Sequence, residues 1–228
     1  MRRLSQSLSA GLQKRFRGRR AELFRRCLRP SPEDTILDLG GGYGEYFATV
    51  VPFRRNVWIA DIDERILQRA SRHGFQTALI PTNGTLPFLD QHFDIVHCNS
   101  VIEHVIVAEH RALLASEIRR VARNWFIQTP NRWFFLEPHT CMPFAQYLPR
   151  SCRRVFLQRI CRLWGGDALG WKLLDTRELL ALFPGGTLVR ERFLHLTKSL
   201  VVMGGDRIGW ATQPCPAVER EFPLPVSR

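Results

Sequence analysis

The chain has 228 residues, of which 45% are hydrophobic, 11% aromatic and 24% charged, and its formal net charge is +12. This length and composition suit one globular domain with a full core and exclude a chain that is disordered throughout. No run of about 18 apolar residues predicts a spanning helix, and no fixed period predicts a solenoid.

The positive charge is concentrated in residues 1–30, which hold ten basic residues and one acidic residue, Glu22, for a net charge of +9. Apolar residues recur there at helical spacing. They are Leu4, Leu8, Leu12 and Phe16, followed by Leu23, Phe24, Cys27 and Leu28. Gly11 and Gly18 weaken a helix. The pattern therefore predicts a broken amphipathic helix.

Three roles are open for this basic segment. It is a helix packed on the domain with a solvated basic face, or it contacts an anionic surface of nucleic acid or lipid. Alternatively, residues 1–21, which are rich in arginine and free of acids, form a transit peptide, which would make the protein mitochondrial. The six cysteines form no C-x-x-C pair and no zinc-ligand spacing, which favours a reducing, cytoplasmic compartment.

From residue 35 onward, short apolar runs alternate with helical patterns. Strands are predicted at 35–39, 56–60, 76–80, 93–98, 125–128, 187–193 and 199–203, and helices at 46–51, 64–72, 109–123 and 176–182. This alternation predicts an α/β fold with a doubly wound, mostly parallel sheet and helices on both faces. In such sheets, ligands bind at the carboxyl ends of the strands.

The first predicted strand ends in an acid followed by a glycine-rich loop, Asp38-Leu39-Gly40-Gly41-Gly42-Tyr43-Gly44. Glycine lets the backbone take a positive φ and lets a ligand approach the main chain closely. The dinucleotide fingerprint G-x-G-x-x-G requires glycine at position 45, but that residue is Glu45. The loop therefore disfavours a nicotinamide cofactor.

The acid and the Gly-x-Gly-x-Gly spacing resemble the first motif of the class I S-adenosylmethionine-dependent methyltransferases. Three later segments are similar to that family: the second strand ending at Asp61, the run L-P-F-L-D-Q-H-F-D-I-V at 86–96, and N-S-V-I-E-H-V at 99–105. Together these segments cover residues 35–129. The resemblance implies a seven-stranded Rossmann-like methyltransferase fold, S-adenosylmethionine as cofactor with S-adenosylhomocysteine as product, and no metal.

The resemblance also implies the cofactor-binding positions. They are Asp38, Gly40, Gly41, Gly42, Tyr43, Gly44, Asp61, Ile62, Thr82, Asn83 and Asn99. A carboxylate at Asp61 would accept hydrogen bonds from both ribose hydroxyls. Many relatives carry an acid for the adenine amino group before L-P-F, where this chain has Thr82 and Asn83 instead.

Methyl transfer is an in-line displacement whose leaving group is a neutral thioether, so the protein must position the nucleophile and, where required, take its proton. The candidates for this base follow the fourth and fifth strands. They are His104, Glu103, Glu137 and His139. Each of these residues has the alternative role of a structural hydrogen bond.

The segment T-P-N-R-W-F-F-L-E-P-H at 129–139 is similar to a subgroup of bacterial methyltransferases. Residues 130–171 are rich in aromatic residues and lack a clear period, so we interpret them as a helical, aromatic lid insertion after strand five. The predicted organisation is therefore a basic helical segment at 1–30, a methyltransferase domain at 31–204 and a proline-containing tail at 205–228.

The predicted reaction is methyl transfer to a small molecule, at an oxygen atom of a sugar, a lipid-linked or an aromatic metabolite. One alternative is an RNA or protein methyltransferase that grips its substrate with the basic N-terminus, which would also allow peripheral membrane contact. The near-neutral body disfavours a long nucleic-acid groove. A second alternative is a non-catalytic domain of the same fold. The oligomeric state stays open.

Overall fold

In the computed structural model, the described residues are 2–136, 144, 147 and 171–209, with side chains described from residue 14 to residue 208. The helices are α1 (Arg2–Leu28), α2 (Phe47–Val50), α3 (Glu64–Arg72), α4 (Ala108–Val121), α5 (Thr176–Leu182) and α6 (Asp206–Gly209). The strands are β1 (Ile36–Leu39), β2 (Val57–Asp61), β3 (Gln76–Leu79), β4 (Phe93–Asn99), β5 (Ala122–Pro130), β6 (Thr187–Phe193) and β7 (Leu196–Gly205). Among these described helices, none is long and apolar enough to cross a membrane.

The strands form one seven-stranded sheet in the order β3-β2-β1-β4-β5-β7-β6. Strands β1 to β5 pair in parallel, and β7 runs antiparallel to both β5 and β6. The prediction of a mostly parallel, doubly wound sheet is therefore confirmed. Pro130 at the end of β5 pairs with Ser199, so the carboxyl ends of the parallel strands and the start of β7 meet at one edge.

Two hydrophobic cores cover the faces of the sheet. One packs α1, α2 and α3 against it, and the other packs α4 and α5. All four residues of β1 are buried, as expected for a central strand covered on both faces. This arrangement leaves the edge formed by the strand ends as the place where loops and ligands meet.

The N-terminal helix differs from the prediction, because α1 is continuous from Arg2 to Leu28 and the expected break is absent. Its second half belongs to the core, where Phe24 and Leu28 are fully buried. Each such side chain contributes about 1.5–3 kcal/mol on burial, whereas a glycine inside a helix costs about 1 kcal/mol. Packing therefore outweighs the cost in helix propensity of Gly18. This glycine is not required for space, because a Cβ added to it would meet nothing within 4 Å.

Two boundaries also need correction. The predicted helix at 109–123 ends at Val121, because Ala122 is buried and pairs with Phe93 in the sheet. The predicted tail begins too early, since Gly205 ends β7 and α6 follows it. The remaining tail from residue 210 lies outside the described residues, as does most of the predicted lid.

Candidate functional site

A cavity of about 480 Å³ lies at the edge where the strands end. Its walls come from α1, the glycine loop after β1, and the ends of β4 and β5 together with the start of β7. The lining residues include Phe16, Arg17, Arg20, Asp38, Gly40, Gly41, Gly42, Asn99, Ser100, Glu103, His104, Gln128, Phe134, Lys198 and Ser199. The cavity thus joins sequence-predicted positions to residues that the sequence did not single out.

The glycine loop requires glycine for two reasons. Gly40 and Gly42 have φ values of +65° and +59°, in the left-handed region that disfavours other residues. Gly41 is needed for space, because a Cβ there would lie 2.0 Å from Oδ2 of Asp38. The loop therefore brings bare backbone to the cavity wall beside a carboxylate.

Asp38 is buried, with 2% of its surface exposed, and its two oxygens differ. Oδ1 accepts a hydrogen bond from Nδ1 of His97 at 2.7 Å, whereas Oδ2 has no hydrogen-bond partner among the described residues. A buried carboxylate oxygen without a donor costs free energy, so it favours a ligand that brings one. The amino group of S-adenosylmethionine is such a donor, and the residues present fit this cofactor.

The sequence reasoning missed His97, which lies in the middle of β4. It is buried, its ring stacks on Phe126 at a centroid distance of 5.7 Å, and Phe24 and Phe47 meet it at 5.4 and 5.1 Å. Because an ionised carboxylate only accepts hydrogen bonds, we assign the proton of the short contact to Nδ1. His97 therefore orients Asp38 from a position where the sequence shows only a strand.

The predicted ribose position lies at the same edge but outside the lining of this cavity. Asp61 ends β2, and the preceding Ala60 accepts a hydrogen bond from the Gly40 N–H at 2.7 Å. Burial raises the pKa of the Asp61 carboxyl, while the backbone N–H groups of Asp63 and Ile62 oppose that rise. The side chain of Ile62 is 58% exposed. Asp61 is thus a partly desolvated carboxylate next to the glycine loop.

Of the remaining predicted cofactor residues, Asn99 lines the cavity, whereas Tyr43, Gly44, Thr82 and Asn83 lie outside its lining. Tyr43 lies beneath the Arg69 guanidinium, whose carbon is 3.7 Å from the ring centroid. A Cβ on Gly44 would lie 2.3 Å from the ring of Phe75. The side-chain oxygen of Asn83 accepts hydrogen bonds from the N–H and hydroxyl of Thr85, so it is used within its own loop. Thr82 lies in that same exposed loop after β3.

The end of β4 brings the described base candidates to the cavity. Ser100 takes a φ of +58°, an uncommon conformation for a residue other than glycine. The following turn carries Glu103, which is fully buried and accepts a hydrogen bond from the Thr129 hydroxyl at 3.0 Å. His104 is exposed and lines the cavity. Glu137 and His139, the candidates after β5, lie outside the described residues.

Arg20 is the largest addition to the predicted site. Its Nε lies 2.9 Å from both oxygens of Glu191, and its Nη1 donates to Asn99 at 2.8 Å and to Gln128 at 3.0 Å. The Ser199 hydroxyl also donates to Glu191. One buried guanidinium thus joins α1 to the ends of β4 and β5 and to the β6–β7 hairpin. In the sequence, Arg20 is one of many arginines, and no local signal distinguishes it.

The described residues contain no group of three or more histidine, cysteine, aspartate or glutamate side chains that could hold a metal ion. The lining instead offers hydrogen-bond donors, two carboxylates and aromatic surface. Chemically, it suits the positioning of an organic cofactor beside a second organic molecule.

Comparison with known proteins agrees with this fold. A family model described as a methyltransferase domain matches residues 37–124. A methyltransferase structure from Mesorhizobium loti shares 15% identity, with a TM-score of 0.54 over 77% of this chain and 98% of that chain. One from Archaeoglobus fulgidus shares 14%, with a TM-score of 0.53 over 82% and 93%. One from Methanosarcina mazei shares 14%, with a TM-score of 0.52 over 76% and 92%. No match to a curated protein sequence was found.

Proposed function

We infer that this chain, which is a class I S-adenosylmethionine-dependent methyltransferase, transfers the methyl group to an oxygen atom of a small molecule. The observation that carries the acceptor class is the cavity of about 480 Å³ beside the glycine loop. Its volume falls within the range of about 300–1,000 Å³ that is usual for small-molecule sites.

The proposal divides the work among the residues of this edge. The glycine loop and Asp38 hold the amino-acid end of the cofactor, and Asp61 holds the ribose. S-adenosylmethionine, when bound, supplies a methyl group on a positively charged sulfur atom. His104 takes the proton of the acceptor hydroxyl, since histidine titrates near neutral pH and this side chain lines the cavity. Glu103 is held by Thr129 and serves as a structural support.

The contacts of α1 favour this reading over an RNA or protein methyltransferase that grips with the basic N-terminus. Arg20 is buried in its ion pair with Glu191. Arg25 and Arg26 both pair with Glu22, at 2.9 and 2.6 Å. Two carboxylates, Glu191 and Glu22, therefore offset part of the arginine charge in the second half of the helix.

Calorimetric titration tests the proposal, with S-adenosylhomocysteine as the ligand and NADH as the control. We expect binding of S-adenosylhomocysteine and none of NADH. The loaded enzyme is then screened for methyl transfer against panels of small hydroxyl-bearing acceptors and of RNA. Binding without small-molecule turnover, together with methylation of RNA, would overturn the acceptor class, and failure to bind would favour a non-catalytic domain.

A further inference from the structure

The cavity carries an uneven distribution of charge. Asp38 lies at the glycine loop, whereas Lys198 lies at the start of β7, three strands away in the order β1-β4-β5-β7. At the usual spacing of strands, this separation is roughly 14 Å. The amino-acid end of the cofactor, assigned above to Asp38, therefore lies far from Lys198.

Among the residues that the structure describes, Lys198 forms no ion pair with a carboxylate. Within the described part of the chain, no carboxylate or carbonyl forms a hydrogen bond with its ammonium, which lies 4.3 Å from the centroid of the Phe16 ring. The nearby carboxylate of Glu191 is already held by Arg20 and Ser199. Burial, and then the neighbouring charge of Arg20, lower the pKa of Lys198 to about 8.

The other polar groups around Lys198 are engaged or lie across the cavity. Asn131 donates its side-chain N–H to the Thr197 carbonyl and accepts from the Trp133 N–H, so its amide is used internally. Arg17 lines the same wall from α1 and adds a second cation. Glu103 and His104 line the cavity from the turn after β4. The donors at this end are thus cationic, and the surrounding wall is aromatic.

We propose that Lys198 forms a subsite, beside Phe16 and Phe134, for a carboxylate or phosphate carried by the apolar body of the methyl acceptor. The inference rests on the proposed small-molecule function and adds that the substrate is negatively charged. A partly buried ammonium gains from an anion because their hydrogen bond is charge-assisted and less water competes for it than at an exposed position. The aromatic wall packs against the apolar part of the same molecule.

The small number of lysines makes the proposal directly testable by NMR. The chain has three, at positions 14, 172 and 198. Lys14 is exposed on α1 and Lys172 pairs with Glu178 at 2.9 Å, so both serve as internal controls. Lysine labelled with ¹³C at Cε reports each pKa separately, and the variants Lys14→Arg, Lys172→Arg and Lys198→Met assign the three signals.

The protein is titrated with benzoate and inorganic phosphate as anionic probes, and with benzyl alcohol as the neutral match of benzoate. All titrations are run at constant ionic strength, with and without saturating S-adenosylhomocysteine. We expect one or both anions to raise the pKa of Lys198 by about 1–3, the effect of an opposite charge in contact, while Lys14 and Lys172 do not move. Benzyl alcohol should have no effect.

The outcomes separate the sources of the anion. If S-adenosylhomocysteine alone raises the pKa of Lys198, its own carboxylate occupies the subsite and the assignment to the acceptor is overturned. If no anion moves the Lys198 signal, the proposal also fails. Lys198→Met should weaken the binding of the effective anion by roughly 10-fold or more, whereas Lys14→Met should not. Failure of the proposed function appears separately, as absence of S-adenosylhomocysteine binding.

Discussion

The two halves of the functional edge are built differently. In the loops after β2 and β3, residues close in sequence hold one another: the Asp63 N–H donates to Asp61, and the Thr85 N–H donates to Asn83, both two positions away. On the side of α1 and β5 to β7, Arg20 contacts Gln128 and Glu191, which are 108 and 171 positions away. The first half is therefore encoded locally, and the second depends on the completed fold.

The residues that the family model matches and the residues that line the cavity overlap only in part. The match covers residues 37–124, which include the glycine loop, Asp61 and the turn after β4. Arg20, Gln128 and Lys198 lie outside it. Under the proposed function, the first set serves the cofactor, whereas the second set lies on the side of the cavity that we assign to the acceptor.

The largest effect is expected from breaking the long-range half at Arg20. Replacing Arg20 by Met removes the guanidinium from the largely buried Glu191 and removes donors from Asn99 and Gln128. Loss of one partner of a buried pair costs about 3–5 kcal/mol in free energy of unfolding. Arg26→Met, which breaks only the exposed pair with Glu22, should cost less than about 1 kcal/mol. Urea unfolding measures the free energy of unfolding of both variants. Equal losses would contradict the role of Arg20 in joining α1 to the strand ends.

A second experiment separates space from backbone conformation in the glycine loop. Gly42→Ala should cost about 1–2 kcal/mol, because its φ of +59° is strained for alanine although nothing lies within 4 Å of the added Cβ. Gly40→Ala should cost roughly 1–2 kcal/mol more, because the same Cβ would lie 2.5 Å from Cγ2 of Val101. Thermal unfolding of the two variants checks the order, and equal costs would show that Val101 rotates away freely.

A third experiment tests the local half through its carboxylates. Asp61→Ala should weaken S-adenosylhomocysteine binding about 100-fold, the equivalent of two hydrogen bonds to a charged group. Asp63→Ala is the matched control, since Asp63 caps α3 by accepting from the Arg65 N–H. It should cost about 1 kcal/mol of stability and leave the affinity of the cofactor nearly unchanged. If calorimetry finds equal affinities for both variants, Asp61 does not bind the ribose of the cofactor.

The smallest effect concerns the ion pair between Asp34 and Arg207, which joins the start of β1 to α6. Burial opposes ionisation of Asp34, but hydrogen bonds from Arg207 and from the Ser31 N–H prevail and hold its pKa below the ordinary value. Because the folded-state pKa is lowered, the stabilisation is complete above the unfolded pKa of about 4 and is lost as the pH falls through the folded value.

Asp34→Asn should therefore lower the free energy of unfolding by about 1–2 kcal/mol at pH 7. The difference from the unsubstituted protein should shrink as the pH is lowered below about 4. Denaturant unfolding at pH 7 and pH 3 measures this difference in the free energy of unfolding. A difference that stays constant with pH would show that the carboxylate charge contributes nothing.

Much of the fold was predictable because its signals are local. The order of strands and helices and the glycine loop follow from short-range patterns, and their boundaries differ from the structure by a few residues. The largest error in the fold was the expected break in α1. Helix propensity alone indicated it, whereas Phe24 and Leu28 are fully buried in a core that they share with residues of the sheet.

The sequence by itself indicated the proposed cofactor side of this protein, because an acid, a glycine loop and a second acid at the next strand end form a short-range pattern. Only the tertiary structure decided the contacts between distant residues. It placed His97 behind Asp38, Arg20 among three strand ends, and Lys198 beside Phe16 without an anionic partner in the described chain. The physical reason is that burial and charge pairing between distant residues exist only once the sheet brings those residues together.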